Sequence, residues 1–574
     1  MKKSKWSRKA ALAFLIVIAL VATACGSSSK ESVDLPDTIP ASEVPQGGEV
    51  VIGAEQEPDC LDFLDVCSGS AWGYWMVAVQ TLPRTYSAER IYDDKKPINE
   101  WEWQATDLLD GEAKLETEPV QKITYKINED AVWSDGTPIT ADDFIYTWDQ
   151  LKNGENIYSR VGYTEIESVK AEGDDKKTVV VTMAEGEVFA GWKALFGGNY
   201  GILPAHLLEG KDRNALTKDG YTFSGGPFVL ESWEKEKAIT LVPNEKYWGD
   251  KPKLDKVTFQ IQPDTTAEFK AFQDGEVQVI YPQPQIDVVD AINAGNLGDA
   301  NQIVNPVTGN TEALWINNAA KPFDSVNVRQ ALGYSIDRDE IVEALFGDIG
   351  VTEAVNSFVP PVISEFADES AFSKYKPNAA KAKQLLEKDG YKKNSRGFYA
   401  KDGKELSITI ITTEGNQRRK NTLEVLQDQL QEAGWRVKLE FPSADDLFGD
   451  IGPSGNYQIA LFTMAITVLD PQNCDLFCSA NIPTEDNGLS GNNWTRTDIA
   501  NADKFLKQVD RELDEDKRIE ASKNAERALA EEATSLPLDP LPNILIWNKK
   551  VLGPVDENPI QGPFWGLQYW GVKK

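Results

Sequence analysis

The sequence predicts an α/β protein made of two lobes, and three observations support this fold class. The chain has 574 residues, whereas a single hydrophobic core stops growing at roughly 250–300 residues. Residues 406–441 contain a strand, a helix and a second strand in succession, the pattern of a β-α-β unit. Residues 227–261 carry short alternating strands instead. We therefore expect two α/β lobes that exchange segments of the chain.

Apolar periodicity locates the elements of the first half of the chain. The tryptophan-rich segment 68–80 follows a cysteine-bounded loop and opens into a helix. A second helix is expected at 265–273, where apolar residues recur at helical spacing. Alternation of apolar and polar residues predicts strands at 49–54, 123–127, 178–183, 227–233, 239–243, 256–261 and 277–281.

Capping residues and apolar patterns likewise locate the elements of the second half of the chain. Asn378 caps a helix through Leu385, and Gly390 ends it. The unit at 406–441 should cross over right-handed onto a mostly parallel sheet. A long helical region is expected at 504–534. Further strands are predicted at 313–317, 457–466 and 543–547, and a helix at 328–332.

The exact sequence of residues 127–151 is more informative about the protein's family than the strand, turn and helix that its periodicity predicts. It reads INEDAVWSDGTPITADDFIYTWDQL and follows the strand at 123–127. Residues 134–136 supply turn chemistry. Thr140 can cap the following helix, with Asp143 in the third position of a capping box. This string closely resembles the signature of the family 5 extracytoplasmic solute-binding proteins, the oligopeptide- and dipeptide-binding components of ABC importers.

Other motifs resemble the same family in the same order, so the resemblance covers nearly the whole chain. They are Gly225-Gly226-Pro227-Phe228, Asn244-Glu245-Lys246-Tyr247-Trp248, Pro252-Lys253-Leu254-Asp255-Lys256-Val257, the run Pro322-Phe323-Asp324-Ser325-Val326-Asn327-Val328-Arg329-Gln330-Ala331-Leu332, Ile336-Asp337-Arg338, Asp470-Pro471 and Leu536-Pro537-Leu538.

The resemblance implies a bilobal fold of the periplasmic-binding-protein type, of the large peptide-binding form with an extra subdomain. It places the hinge at the chain crossings near 306–311 and 535–540. The implied segments are a signal peptide at 1–24, a lipid-attached flexible linker at 25–47, a first lobe from 48–100, 222–306 and 536–574, an extra subdomain at 101–221 and a second lobe at 307–535.

The N-terminus predicts export and lipid attachment. The first nine residues carry five Lys or Arg residues and no acid, and an apolar run of about fifteen residues follows. That run is shorter than the roughly 20 residues a membrane span needs. Cys25 follows Ala22-Thr23-Ala24, which resembles a bacterial lipobox whose cysteine is acylated. An ordinary signal peptide with an incidental Cys25 is the alternative. We expect a protein anchored by lipid on the extracytoplasmic face of the cell membrane.

The net charge argues against nucleic-acid binding, and the cysteine count suggests disulfide bonds. The formal net charge of −32 repels phosphate backbones, so nucleic-acid binding is not expected. Without Cys25 an even number of cysteines remains, which suggests disulfides in an exported protein. Four cysteines permit three connectivities, and we favour the one made of two local pairs; a Cys₄ zinc site is the alternative. The pairs are Cys60 with Cys67 and Cys474 with Cys478.

Catalytic and cofactor chemistry is not indicated. The only histidine, His206, would have to serve any Ser-His-Asp or Cys-His mechanism. Common nucleophile and nucleotide motifs are absent from the sequence. Carboxylate pairs for a glycosidase occur in any acidic chain of this size. We therefore expect no enzyme activity, no metal and no cofactor.

The resemblance also implies where the solute lies. The family anchors a peptide amino group with an Asp three residues before Asp470-Pro471, and this chain has Thr467 there. Either another acid, Asp470 or Asp475, replaces that carboxylate, or the ligand has no free amine at this point. The expected ligand-binding residues are Ser68, Gly69, Trp72, Thr463, Met464, Ala465, Thr467 and Trp494, and Asn492 and Asn493 could face the first lobe beside Trp494.

These observations lead to one function and several alternatives. We expect a monomeric receptor that captures peptides between two lobes and delivers them to the permease subunits of an ABC importer with cytoplasmic ATPases. Sixteen tryptophans keep an oligosaccharide or another amine-free solute open as the ligand. An envelope hydrolase, and a scaffold or chaperone of the envelope, are the alternatives from other classes.

Overall fold

The computed structural model describes residues 35–36, 39–93, 96–198, 200–282, 284–471 and 473–573. The predicted signal peptide, Cys25 and about half of the predicted linker lie outside the described residues. Within the described part, no helix combines the length and the apolar character that crossing a bilayer requires.

A seven-stranded mixed sheet forms the first body of the molecule. Its central strand, Glu49–Ala54, pairs in parallel with Lys256–Ile261 and places Ile52 opposite Phe259, both fully buried. The other pairings outward from this centre are antiparallel, apart from the short one to Val279–Ile280. In spatial order the strands are Ala300–Asn305, Asn543–Asn548, Val279–Ile280, Glu49–Ala54, Lys256–Ile261, Ala238–Pro243 and Phe228–Glu234.

A five-stranded sheet forms the second body. The predicted β-α-β unit is present, because Ser407–Ile411 pairs in parallel with Arg436–Glu440 and the helix Gln417–Ala433 connects them. The sheet is not mostly parallel as predicted, since two of its four pairings are antiparallel. The antiparallel strands are those by which the chain enters and leaves this body. In spatial order the strands are Arg436–Glu440, Ser407–Ile411, Ile459–Ala465, Asn310–Ile316 and Leu536–Asp539.

A four-stranded antiparallel sheet belongs to the predicted extra subdomain. It carries the segment whose sequence resembles the family signature, and the Thr140 capping box with Asp143 is present. Its strands are, in spatial order, Lys114–Glu116, Lys122–Lys126, Thr178–Met183 and Ile166–Glu172. Smaller pairings join Tyr86–Asp93 to Lys96–Ala105, Lys392–Lys393 to Tyr399–Lys401 to Lys404–Glu405, and Val551–Leu552 to Gly571–Val572.

Helices cover the sheets. The predicted long helical region at 504–534 is two helices, because Asp514 accepts a hydrogen bond from the Lys517 amide and starts a new one. The main helices are Ala141–Asn153, Thr265–Asp274, Ile286–Asn293, Val326–Gly333, Arg338–Phe346, Ala379–Lys388, Gln417–Ala433, Ala500–Arg511 and Glu515–Glu532. Shorter helical pieces include the consecutive Ala71–Gly73, Tyr74–Ala78 and Val79–Thr81, and Ala205–Leu208, Arg213–Thr217 and Asn473–Phe477.

The apolar cores follow the sheets. One large core joins the first sheet to the four-stranded sheet and includes Trp133 and Trp547. A second large core belongs to the five-stranded sheet and includes Trp435. The chain passes between these bodies after Asn305 and again after Asp539. Strand Leu536–Asp539, which the sequence analysis assigned to the first lobe, pairs with the second sheet.

Candidate functional site

A cavity of about 360 Å³ lies between the first sheet, the second sheet and the four-stranded subdomain. Strand ends and the loops after them build its walls, which is where α/β folds place ligands. All eight of the expected ligand-binding residues line this cavity. Their role in binding stays a prediction. The lining includes residues from 55–57, 68–75, 413–419, 443–448, 462–467, 475–476 and 541–544, together with Glu236, Asn492 and Trp494, and with Tyr158 and Tyr200 from the subdomain.

The first wall is shaped by a disulfide. Cys60 and Cys67 are bonded, with their Cα atoms 5.8 Å apart, which is the local pairing that the sequence favours. The next residue, Ser68, donates its hydroxyl to the Asp65 carbonyl oxygen at 2.8 Å. Trp72 then enters the cavity lining at the start of the helical segment. The disulfide-closed loop and the Ser68 hydrogen bond thus restrain the backbone that leads into this wall.

The second wall faces the first at close range. A Cβ atom at Gly69 would lie 3.6 Å from Phe448 and 3.9 Å from Trp494, both of the second body. The Trp494 ring packs on Phe448 and Phe462, with centroids 6.4 Å and 5.9 Å away. The two walls therefore meet around Gly69, and the cavity is narrow there.

A buried charge cluster supports the second wall. Arg418 donates two hydrogen bonds to Glu312, each 2.7 Å long, and Arg419 donates from Nε to Glu312 at 3.0 Å. Thr463, on the cavity, donates its hydroxyl to the same carboxylate at 2.7 Å. Burial raises the pKa of Glu312, but the two guanidinium groups more than offset this and lower it to about 2. The cluster therefore holds a charged carboxylate behind Thr463, and Arg419 reaches the cavity itself.

Asp475, one of the two acids that could replace the carboxylate missing at Thr467, lines the cavity. It lies on Asn473–Phe477, a single turn bridged by a disulfide between Cys474 and Cys478 with Cα atoms 4.7 Å apart. Asp470 instead pairs with Arg518 at 2.5 Å and borders a smaller neighbouring cavity. Of the two acids that the sequence offered, only Asp475 lines the main cavity.

Several lining residues were not expected from sequence. Arg419 follows a strand of a β-α-β unit at the start of its helix, a position that could have indicated a cavity residue. Tyr158 and Tyr200 come from the subdomain, and no sequence pattern points to them. Asn493 faces away from the cavity, because it donates to the carbonyl oxygens of Cys478 and Thr497.

Among the described residues, no three or more His, Cys, Asp or Glu side chains are grouped so that they could hold a metal ion. The single histidine, His206, is hydrogen-bonded to Asp135 at 2.8 Å and does not line the cavity.

The sequence profile of "Bacterial extracellular solute-binding proteins, family 5 Middle" matches residues 111–476. The chain belongs to family 5 of the bacterial extracellular solute-binding proteins. The family that residues 127–151 and the later motifs resemble is thereby confirmed. As a family 5 protein, the chain is a solute-binding component of an ABC transporter and not an enzyme. This removes the envelope hydrolase from the alternatives.

Curated relatives of this family 5 protein are named as peptide-binding. The oligopeptide-binding protein AppA of Bacillus subtilis is 26% identical over 506 residues, which cover 87% of each chain. The oligopeptide-binding protein OppA of the same organism is 28% identical over 448 residues, covering 74% of this chain and 78% of OppA.

Solved structures confirm the predicted fold class. AppA from Bacillus subtilis in complex with a nonapeptide has a TM-score of 0.80 at 22% identity, covering 93% of this chain and all of AppA. A periplasmic EDTA-binding protein, EppA, has a TM-score of 0.77 at 24% identity, over 94% of this chain and all of that one. NikZ from Campylobacter jejuni, bound to Ni(L-His), has a TM-score of 0.75 at 20% identity, over 91% and 99%. Proteins that share this fold therefore take chemically different solutes.

Proposed function

We propose that this chain is a lipid-anchored receptor that captures peptides between two lobes and hands them, chemically unchanged, to the permease of an ABC importer. The observation that carries the proposal is the position of the expected ligand residues. Ser68, Gly69 and Trp72 line one side of the cavity, and Thr463 and Trp494 line the other. A solute in this space contacts both bodies at once, which favours the closed arrangement.

The names of the relatives support a peptide as the solute. AppA and OppA of Bacillus subtilis are oligopeptide-binding proteins, and AppA is solved with a nonapeptide. An oligosaccharide or another amine-free solute is the second candidate, since three tryptophans, Trp72, Trp75 and Trp494, line the cavity. Aromatic faces of this kind also stack on sugars, so the lining alone does not choose between the two.

The domain division is part of the proposal. We assign the hinge to the two segments between the sheets, 306–309 and 540–542, which lie near the crossings at 306–311 and 535–540 that the family resemblance implies. We place the extra subdomain at 101–221 beside the first lobe, because their apolar residues form one core. Closure would then rotate the second lobe against both.

Tryptophan fluorescence during titration with peptides tests the proposal, because Trp72, Trp75 and Trp494 line the cavity. A pool of peptides of mixed length should change the emission saturably, and mass spectrometry should recover every peptide intact. Trp494→Phe should weaken the response, whereas Trp148→Phe, the same substitution on a helix away from the cavity, should not. Saturation by oligosaccharides alone would support the second candidate, and cleaved peptides would overturn both.

A further inference from the structure

Asp475 is a buried carboxylate on the cavity with neutral partners only. It is 5% exposed. Its Oδ1 accepts a hydrogen bond from the Ser159 hydroxyl at 2.7 Å, and its Oδ2 accepts one from Asn492 Nδ2 at 3.0 Å. Among the described residues, no Lys or Arg charge contributes to its pKa. Burial raises the pKa of Asp475, since water no longer stabilises the charged form.

Asn492 presents a second acceptor beside this carboxylate. Because its Nδ2 donates to Asp475, the orientation of the amide is fixed and Oδ1 is left for another partner. Oδ1 is buried and accepts no hydrogen bond from the described residues, although Asn492 is only 7% exposed and lines the cavity. A buried acceptor without a donor is costly. Asn492 Oδ1 can therefore accept an N–H or O–H donor, and Tyr158, whose hydroxyl is hydrogen-bonded with the Asn492 side chain, borders this position.

The charge of the cavity indicates which donor fits. Among the described lining residues, the one basic side chain is Arg419, and it is hydrogen-bonded to Glu312 and to the hydroxyls of Thr413 and Thr463. Clustered carboxylates of one sign raise the local concentration of cations. The acids in the lining are Glu55, Glu57, Glu236, Glu414, Asp445 and Asp475.

We infer that Asp475 and Asn492 form a subsite for a positively charged nitrogen of the solute, an ammonium or guanidinium group. The cation would offset the burial of the Asp475 charge and donate to Asn492 Oδ1. The receptor would then discriminate against anionic solutes that lack such a group. This inference rests on the proposed function, because it uses the same cavity, and it narrows the substrate class from peptides in general to solutes that present a free ammonium or guanidinium group at this position.

The Cys474–Cys478 disulfide fits this role. It closes the single turn that carries Asp475, and Ser159 of the subdomain and Asn492 of the second body hold the carboxylate from two sides. An anchor that must select one charged group benefits from such a fixed position.

The test uses the purified full-length protein and two matched probes. One is an arginine-free pool of short peptides, and the other is the same pool with every amine acetylated. Wild-type protein should bind the free-amine pool about ten- to a hundredfold more tightly, the range of a charge-assisted hydrogen bond. Asp475→Asn should abolish this preference. Asp470→Asn, which removes a nearby carboxylate outside the main cavity, should retain it.

Each outcome separates the subsite from the proposed function. Equal binding of the two pools by wild type, or an unchanged preference in Asp475→Asn, overturns the subsite and leaves the peptide function standing. If no peptide binds but spermidine binds in an Asp475-dependent way, the peptide function fails and the subsite stands. If neither binds, the subsite fails too. Should Asp475→Asn not fold, Asn492→Ser, which keeps the carboxylate, must show a reduced preference.

Discussion

The Thr308 hydroxyl donates a hydrogen bond to the Pro540 carbonyl oxygen at 2.7 Å, so the two segments that cross between the sheets are joined directly. Just before and after them, Asn305 and Asn543 donate to the two oxygens of Glu557 at 2.8 Å and 2.6 Å. Glu557 is fully buried. One carboxyl group thus connects both crossings on the side of the first sheet.

Glu557 makes stability depend on pH. Burial raises its pKa to about 7, above the ordinary glutamate value, although Asn305 and Arg90 act against this. The folded state therefore holds a proton that the unfolded state releases. The stabilisation is complete below the unfolded pKa of about 4.5 and is lost as the pH rises through about 7. We predict a lower free energy of unfolding at pH 8 than at pH 5, by about 2 kcal/mol from this group.

Chemical denaturation at the two pH values checks this prediction. Glu557→Gln should reduce the difference, whereas Glu424→Gln, on an exposed helix position, should leave it unchanged. Glu526, whose pKa burial also raises to about 7, adds to the effect in the same direction. A midpoint that is higher at pH 8 than at pH 5 would contradict the prediction.

Arg418→Met should destabilise the second body strongly. The substitution leaves the fully buried Glu312 with Arg419 as its remaining cation. Breaking one side of a buried ion pair costs about 3–5 kcal/mol. Urea unfolding measures the loss. The double variant Glu312→Gln/Arg418→Met should recover part of it, and a loss below about 1 kcal/mol in the single variant would refute the expectation.

Thr467→Asp should strengthen the binding of amine-bearing peptides. Thr467 lines the same cavity as Asp475, and a carboxylate there adds a charge-assisted hydrogen bond worth about 1.5–3 kcal/mol. Titration with the free-amine peptide pool measures the change, and Thr467→Asn is the uncharged control. No gain for any peptide would count against this placement of the amine.

Removal of the second disulfide should weaken binding as well as stability. Cys474→Ser with Cys478→Ser opens the turn that carries Asp475, with a loss of about 2 kcal/mol in unfolding free energy. The preference for free amines should fall in parallel. Cys60→Ser with Cys67→Ser opens a loop on the other wall and should cost stability while keeping that preference. Loss of amine selectivity in both variants, or in neither, argues against a specific role for the second bond.

Cys25→Ala should release the protein from the membrane, because the residue is the predicted site of lipid attachment. Detergent phase partitioning distinguishes the two forms: wild type should enter the detergent phase and the variant the aqueous phase. Cys60→Ala, which retains Cys25, is the control. Equal partitioning of wild type and Cys25→Ala would remove the lipid anchor from the account.

Local sequence patterns predicted much of the fold, and the reasons are physical. The alternation at 256–261 and the capping box at Thr140 are short-range signals, and both elements formed as expected. The antiparallel entry strand Asn310–Ile316 was not predicted as such, since pairing direction depends on distant partners. The break at Asp514 rests on one side-chain cap inside a strongly helical region.

The cavity residues, like the strands and helices, divide into those that sequence motifs predicted and those that depend on contacts between distant residues. Thr463 and Trp72 were predicted to line the site because the family resemblance implies ligand contacts from both bodies. The Asp475–Ser159 contact joins residues that are far apart in the sequence and meet only in the folded chain. No local pattern could have indicated which of two acids, Asp470 or Asp475, lines the main cavity.

Mass spectrometry of the solute that the purified protein retains tests the central claim most directly. Gentle purification, denaturation and analysis of the released material should yield an intact peptide with at least one positively charged nitrogen. Recovery of a metal chelate, or of an anionic solute without an amine or guanidinium group, would contradict the account.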